Sequence, residues 1–476
     1  MRVLFVSAEL APFAKVGGLG DVAAALPRAL SDLGVDVAVA TPKYRSVIGA
    51  LTPVAEFPVP VEGQNRTCTV FRGALPGSDV PAYFLGHDPY FDRSGIYGEG
   101  NREYPDSLAR FVFLSRAALE LGPAVDWIPD VIHANDWHTA LTPVYLRSGT
   151  VLPARAVLTV HNLAYQGWFP ASQAVVAGLN EAGQHLVAIG DQMNLLQGGI
   201  LAADRITTVS PSYAAEILDQ GEGLEAVLRA RQDDLVGILN GVDYSVWDPA
   251  RDPHLWAAYS AEDLAGKAEN KRRLRAELGL VNDQSPLVGM VSRLADQKGL
   301  DLVVEAFDRM LALGIQLVVL GTGEPRYESF LRQAEGRHPM RVRALVEFSE
   351  QWAHRIEAGS DIFLMPSRFE PCGLNQLYSL RYGAAPVVRA TGGLKDTIHE
   401  HDPLRDTGNG FTFSAYTAEA MLAALGRAVR VWRHDPAAWQ RLMRRGMRED
   451  HSWGRSAREY LAVYERALAA HPRSPQ

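Results

Sequence analysis

RVLFVSAELAPFAKVGGLGDVAAALPRALSDL, Arg2 to Leu33, is the stretch that decides the fold class. Its opening run RVLFVSA, Arg2 to Ala8, is apolar and rich in Val and Leu, and Val22 to Leu33 carries apolar residues at helical spacing. KVGGLGD, Lys15 to Asp21, therefore falls in a strand-to-helix turn. Glycines in such a turn let backbone N–H groups approach an anion; the helix N-terminus adds a partial positive charge and Lys15 a full one. A phosphate or a sugar hydroxyl would fit, although the same glycines can also serve only to pack the helix on the sheet. The dinucleotide fingerprint GxGxxG is not matched. The second strand, Val35 to Ala40, ends in Thr41-Pro42 rather than in an acid that would hold an NAD ribose, which disfavours a dehydrogenase.

Outward from that unit the pattern repeats. Apolar strands are expected at Val131 to His133, Ala156 to Val160 and Arg205 to Val209. The region from Ser46 to Asn101 reads as short strands broken by Pro and Gly, ending in the polar, aromatic-rich loop Asp88 to Gly100. The second half starts again with a helix from about Ala261 to Leu278. Strands follow at Pro286 to Val291, Gln316 to Leu320, Val342 to Phe348 and Ile362 to Met365, with helices near Leu300 to Leu313, Arg326 to Ala334 and Gln351 to Ala358 between them. Strand alternating with helix at this spacing predicts an α/β protein of two Rossmann-like, doubly wound domains, residues 1–250 and 251–452. The final segment, 453–476, reads as a helix that crosses back onto the first domain. Ligands of such folds bind beyond the carboxyl ends of the strands, and two such ends facing one another make an inter-domain cleft.

At 476 residues, 47% hydrophobic and 21% charged, the chain has the composition of ordinary globular protein. A formal charge of −8 without a basic, aromatic-interleaved run argues against nucleic acid as a partner, and no apolar stretch approaches the roughly 20 residues that span a bilayer. Two cysteines, Cys68 and Cys372, and an N-terminus that begins with a core strand predict a reducing cytoplasm. Lysine occurs only at 15, 43, 267, 271, 298 and 395 among 47 basic residues, so Lys15 and Lys298, each beside glycines, attract notice.

SRLADQKGLD places Arg293 and Lys298 in one loop beyond a strand, a pair suited to neutralising a diphosphate as it leaves. SRFEPCGLNQ, Ser367 to Gln376, puts Glu370 at an expected helix entrance, with Gly373 and Leu374 as backbone donors; a carboxylate and amides together can hold a sugar ring, though Glu370 could equally be a capping acid. Thr391-Gly-Gly-Leu-Lys395 again sets glycines beside a lysine. HANDWH (His133 to His138, with Asp136) and VHNLAYQGWFP (Val160 to Pro170, with His161) mix His, Asn and Asp with aromatics, the face usually shown to carbohydrate. Metal is disfavoured, since His133 and His138 lack i, i+4 spacing and no carboxylate cluster completes a site. ILNGVDYSVWDP contributes a turn at Asn240-Gly241.

KVGGLGD, HANDWH, HNLAYQG, ILNGVD, SRL…QKG and PSRFEPCGL, in this order over Arg2 to Tyr464, resemble bacterial glycogen synthase and plant starch synthase, retaining glucosyltransferases of the GT-B fold. The resemblance implies glucose transfer from ADP-glucose to the non-reducing end of an α-1,4-glucan, with retention and with no metal or other cofactor. Carried onto matching positions, Lys15, Gly17 and Gly18 would contact the donor's phosphate and glucose, with Asp21 near the donor or acceptor sugar. Arg293 and Lys298 would hold the diphosphate, while His161 and Asn240 would border the glucose. Glu370 would bind the glucose hydroxyls, with Cys372, Gly373 and Leu374 lining its pocket, and Asp136 would join the substrate-binding set. Phe348 would lie near the adenine, where Glu347 replaces a glycine common in the family; Gln197 stands where a lysine is frequent. Retention can follow a covalent or a front-face route, of which the front face is favoured. Closure of the two domains on substrate is expected.

Overall fold

The computed structural model describes residues 1–49, 51–99, 102–149 and 152–470. Its first unit comprises Met1–Gly241 and the chain from Trp453 onward. The strands of its main sheet are β1 (Arg2–Val6), β2 (Asp36–Pro42), β3 (Thr52–Val61), β4 (Gln64–Ala74), β5 (Pro81–Gly86), β6 (Val131–Asn135), β7 (Arg155–Val160), β8 (Arg205–Thr208) and β9 (Leu235–Gly237). Val3 to Val6 and all of β6 are buried, as parallel strands covered on both faces must be. The spatial order is β9-β8-β7-β6-β1-β2-β5-β4-β3. Pairing is parallel from β9 to β5, and β4 and β3 add antiparallel strands. The chain runs outward from β1 through β2, then resumes at β6 on the other side of β1. That reversal is a topological switch point, where the loops after β1 and β6 diverge and leave a crevice.

Two expectations for this unit are corrected. The helix after the glycine turn spans Gly18–Asp32 and so starts four residues before Val22, with Gly17 as its N-cap. Between 46 and 101 the strands are long: β3 and β4 have 10 and 11 residues and join through Glu62-Gly63, both at positive φ, a two-residue turn that suits the twist of a hairpin. Pro53, Pro58 and Pro60 made β3 read as broken, but β3 is the edge strand, where proline removes no needed donor.

The last helix, Trp453–Ala469, packs in this unit against Gly18–Asp32, and the hydroxyl of its Tyr464 lies 2.8 Å from Nδ1 of buried His133.

The second unit, Val242–Ser452, carries β10 (Leu287–Val291), β11 (Gln316–Leu320), β12 (Val342–Leu345), β13 (Ile362–Met365), β14 (Ala385–Arg389) and β15 (Phe411–Phe413). They form one parallel sheet in the order β12-β11-β10-β13-β14-β15. Its core joins Val288, Phe307, Leu317 and Leu364 to Phe411 and Trp439. The switch point lies between β10 and β13. Strand β12 stops at Leu345, short of the expected Phe348, and the helix expected from Ala261 begins at Ala265. Among the described residues no helix is long and apolar enough to cross a membrane.

Candidate active site

Each switch point gathers predicted residues within its own unit. In the second unit the loop after β10 holds Arg293 and Lys298, and the loop after β13 holds Glu370. The Lys298 ammonium donates to Glu370 Oε2 at 2.6 Å, and the Ser367 hydroxyl donates to the same oxygen at 2.9 Å. Both members of the pair are largely buried, with side chains 18% and 7% exposed. Gly299 makes the approach possible: its φ is +75°, and a Cβ there would sit 2.1 Å from the Pro366 carbonyl oxygen, so only glycine lets the two loops touch. Gln297 adds a rung, its carbonyl accepting from the Arg368 amide at 2.8 Å.

Glu370 is not a helix-capping acid. The helix Asn375–Arg381 begins five residues later, with Leu374 as its N-cap. The Thr391-Gly-Gly motif supports this loop instead of forming a separate anion site: the Gly393 amide donates to the carbonyls of Glu370 and Pro371, and a Cβ on Gly393 would overlap the Cys372 carbonyl. Cys372 is buried and in no disulfide, and Gly373 takes φ +70° at the turn into the helix. Arg293 is exposed and donates to Gln297 Oε1 at 2.7 Å, leaving it reachable from solvent. Phe348 lies beyond β12 and is 84% exposed.

In the first unit, Lys15 and Asp21 form an ion pair at 2.7 Å, with side chains 38% and 34% exposed. Glu9, which sequence reasoning missed, occupies the amides of the glycine turn. Its Oε2 accepts from Val16 N at 2.7 Å and Gly17 N at 2.9 Å, and its Oε1 accepts from the Tyr97 hydroxyl at 2.6 Å. Burial, and then the adjoining Glu9, hold the Tyr97 phenol well above its ordinary range, so it stays a donor. A Cβ on Gly17 would meet nothing within 4 Å, so packing does not explain that glycine.

After β6, Asp136 adopts φ +56°, a left-handed backbone rare outside glycine and concentrated at functional sites. Its carboxyl accepts from the His161 amide at 2.7 Å, and burial still raises its pKa to about 7. His161, at the end of β7, has its Nε2 2.9 Å from Asn135 Oδ1. The Asn135 amide nitrogen is committed to the carbonyls of Val6 and His133, so the oxygen faces His161. The Nε2 then carries the proton and Nδ1 keeps a lone pair, in a ring that burial holds neutral by lowering its pKa to about 3. Asn240, just past β9, is buried, and its side-chain oxygen has no hydrogen-bond partner among the described residues. That is an acceptor lacking only a donor.

The HANDWH reading needs correction. His133 lies between Tyr464 and Thr159, Trp137 packs on Gly167, and His138 stacks on Tyr97 at 4.8 Å, so these rings are interior. The exposed aromatics are Tyr165 and Trp168 of the second motif. Gln197, in the position where lysine was expected, is buried and donates to the carbonyls of Leu186 and Ala188. Among the described residues no group of three or more His, Cys, Asp or Glu is placed to hold a metal ion.

Comparison with known proteins gives the family. Residues 2–230 match the model of the starch synthase catalytic domain, and residues 270–439 match that of group 1 glycosyl transferases. A solved catalytic domain of starch synthase IV from Arabidopsis thaliana, bound to ADP and acarbose, superposes with a TM-score of 0.91 and 37% identity, covering 98% of this chain and 99% of that one. Sucrose-phosphate synthase from Thermosynechococcus elongatus, 18% identical with a TM-score of 0.62, shares the fold. These matches define the class, a glycosyltransferase built from two α/β units with parallel sheets. The glycogen synthase of Anaeromyxobacter dehalogenans is 49% identical over 98% of this chain and the whole of that protein, and that of Syntrophotalea carbinolica 45% over 99% and the whole. The chain belongs to the glycogen synthase family.

Proposed function

We propose that this chain transfers glucose from ADP-glucose to the non-reducing end of an α-1,4-glucan with retention of configuration, releasing ADP. The observation that carries the reading is the buried Lys298–Glu370 pair at the switch point of the second unit, with Arg293 reachable beside it. Lys298 and Arg293 take the diphosphate, whose charge grows as the bond to the anomeric carbon breaks, and stabilising that charge is the main electrostatic task. Glu370 accepts from glucose hydroxyls and favours the positive ring that develops.

The first unit supplies the sugar-facing groups. Lys15 and Asp21 stand at the helix start, Gly17 leaves room for close approach, and neutral His161 presents Nδ1 as an acceptor. Asn240 offers its unsatisfied oxygen, and Tyr165 and Trp168 suit the C–H face of a glucan. A front-face route is supported by Glu370 Oε2, which already accepts two hydrogen bonds and is a poor nucleophile in that state. In that route the acceptor hydroxyl bonds to the anomeric carbon, the sugar–phosphate bond breaks, and the proton passes to the departing phosphate oxygen. We place the reaction in the cytoplasm.

Radiolabelled transfer to glycogen from ADP-glucose and UDP-glucose, side by side, tests the reading, with Glu370→Ala as control. Strong transfer from ADP-glucose that the variant loses is expected. Preference for UDP-glucose would move the donor assignment to the Glu347–Phe348 region, and no transfer from either donor would overturn the proposal.

A further inference from the structure

The helix Pro436–Arg448 shows the second unit two faces. Ala438, Trp439, Leu442, Gly446 and Met447 are buried, while Arg441, Arg444, Arg445 and Arg448, spaced i, i+3, i+4 and i+7, share one stripe. These four arginines, with Asp406 and Glu449, line a hollow of about 400 Å³.

Arg441 and Arg445 both reach Asp406, which stands at φ +51°. Glu449 accepts from the Asn409 amide, and His451 Nε2 lies 3.0 Å from it. Among the described residues Arg444 meets no carboxylate: its Nε donates to the Ala261 carbonyl at 3.0 Å and its Nη1 to Gln440 at 3.4 Å. Arg445 keeps a buried Nη2 with no partner. Arg448 pairs with Glu262 across 3.4 Å on the open surface.

Four guanidiniums against Asp406, Glu449 and the Glu262 carboxylate beside Arg448 leave the group with one net positive charge. Like charges four residues apart repel by a few tenths of a kcal/mol per pair, so a face meant only to be wet gains nothing from this spacing. We propose that this hollow is a binding site for a small phosphomonoester. A phosphomonoester is anionic at neutral pH and carries three strong acceptor oxygens, which suit an excess of positive charge and the planar forks of the guanidiniums. The volume lies within the range of sites for small ligands and accommodates a sugar phosphate more fully than a bare ion. Glu449 begins the short segment, ending at Ser452, that leads into the last helix. An anion seated here would therefore order the end of the second unit.

The site stands apart from Lys298 and Glu370 in sequence and lining, so its test is independent of the transfer reaction. Thermal unfolding of the full chain is followed with ribose 5-phosphate, with inorganic phosphate, and with sodium chloride at matched ionic strength. The expected result is a rise in Tm with ribose 5-phosphate, smaller with phosphate and absent with chloride, kept in Lys298→Ala. In Arg444→Gln/Arg448→Gln the apparent affinity falls at least tenfold, with transfer activity unchanged. Arg448→Gln alone, at an exposed position, gives the same direction if the double variant folds poorly. No rise in the wild type, a rise equal to that with chloride, a rise that survives the arginine replacements, or one abolished by Lys298→Ala would each overturn the site.

Discussion

Replacing Lys298 by Ala leaves Glu370 with the Ser367 hydroxyl as its donor and takes away the cation that would meet the diphosphate. Losing one such preorganised group costs transfer on the order of 10²–10³-fold. The check is the initial rate of glucosyl transfer beside the far-UV circular dichroism; a rate within about threefold of wild type in a folded variant would sink the assignment. Lys298 and Glu370 were legible in the sequence because each follows a strand and sits among turn residues. Their contact was not, because 72 residues separate them and only the sheet order brings β10 beside β13. Glu9 gave less warning. It is a lone acid just past β1, and nothing local says that its carboxylate turns back onto the amides of Val16 and Gly17. Tyr97 was visible only as one aromatic in a loop flagged for its composition.

Gly299 illustrates what one residue asks of an element. With φ +75° and the Pro366 carbonyl where a side chain would start, Gly299→Ala forces the loop after β10 away from the loop after β13. The left-handed backbone alone costs a non-glycine residue about 1–2 kcal/mol, and the overlap adds to it. The expected outcome is a lower unfolding midpoint together with loss of transfer; Gly336→Ala, inside the helix Pro325–Arg337 with nothing within 4 Å, should keep transfer and leave the midpoint equal or slightly raised. Four of the six parallel strands of the second unit were read from the sequence, since a run such as Gln316–Leu320 is buried on both faces and flanked by helices, whereas β14 and β15 were not. The β3–β4 hairpin was read poorly because prolines on an edge strand look like breaks until the neighbour is known. The helix start at Gly18 was missed for a related reason. Glycine is a poor helix former, and the carboxylate that occupies the amides just before that start comes from Glu9, outside the segment.

Acid should loosen the whole molecule. Burial lowers His133, His138 and His161 to about 3, so their neutral rings contribute stability that is complete above the unfolded value near 6.5 and is lost as pH falls towards 3. Asp136, raised to about 7, works in the opposite sense: its contribution is complete below about 4 and is lost as pH rises through 7. Between these limits three histidines outweigh one aspartate, so unfolding takes up protons and stability falls from pH 6.5 to 4.5. Urea midpoints at pH 7 and pH 5 measure it, and His138→Gln should flatten the slope; equal midpoints in the wild type would refute the account. The placement of Trp453–Ala469 carries a consequence of another kind. The ring of His133 waits for Tyr464, 331 positions later, so the first unit cannot complete its interior until that residue has left the ribosome. At ordinary elongation rates that delay is on the order of tens of seconds, during which Val242–Ser452, contiguous in sequence, is free to fold first. The half made first is the half finished last, and the nascent chain must hold that opening against aggregation until its final helix arrives.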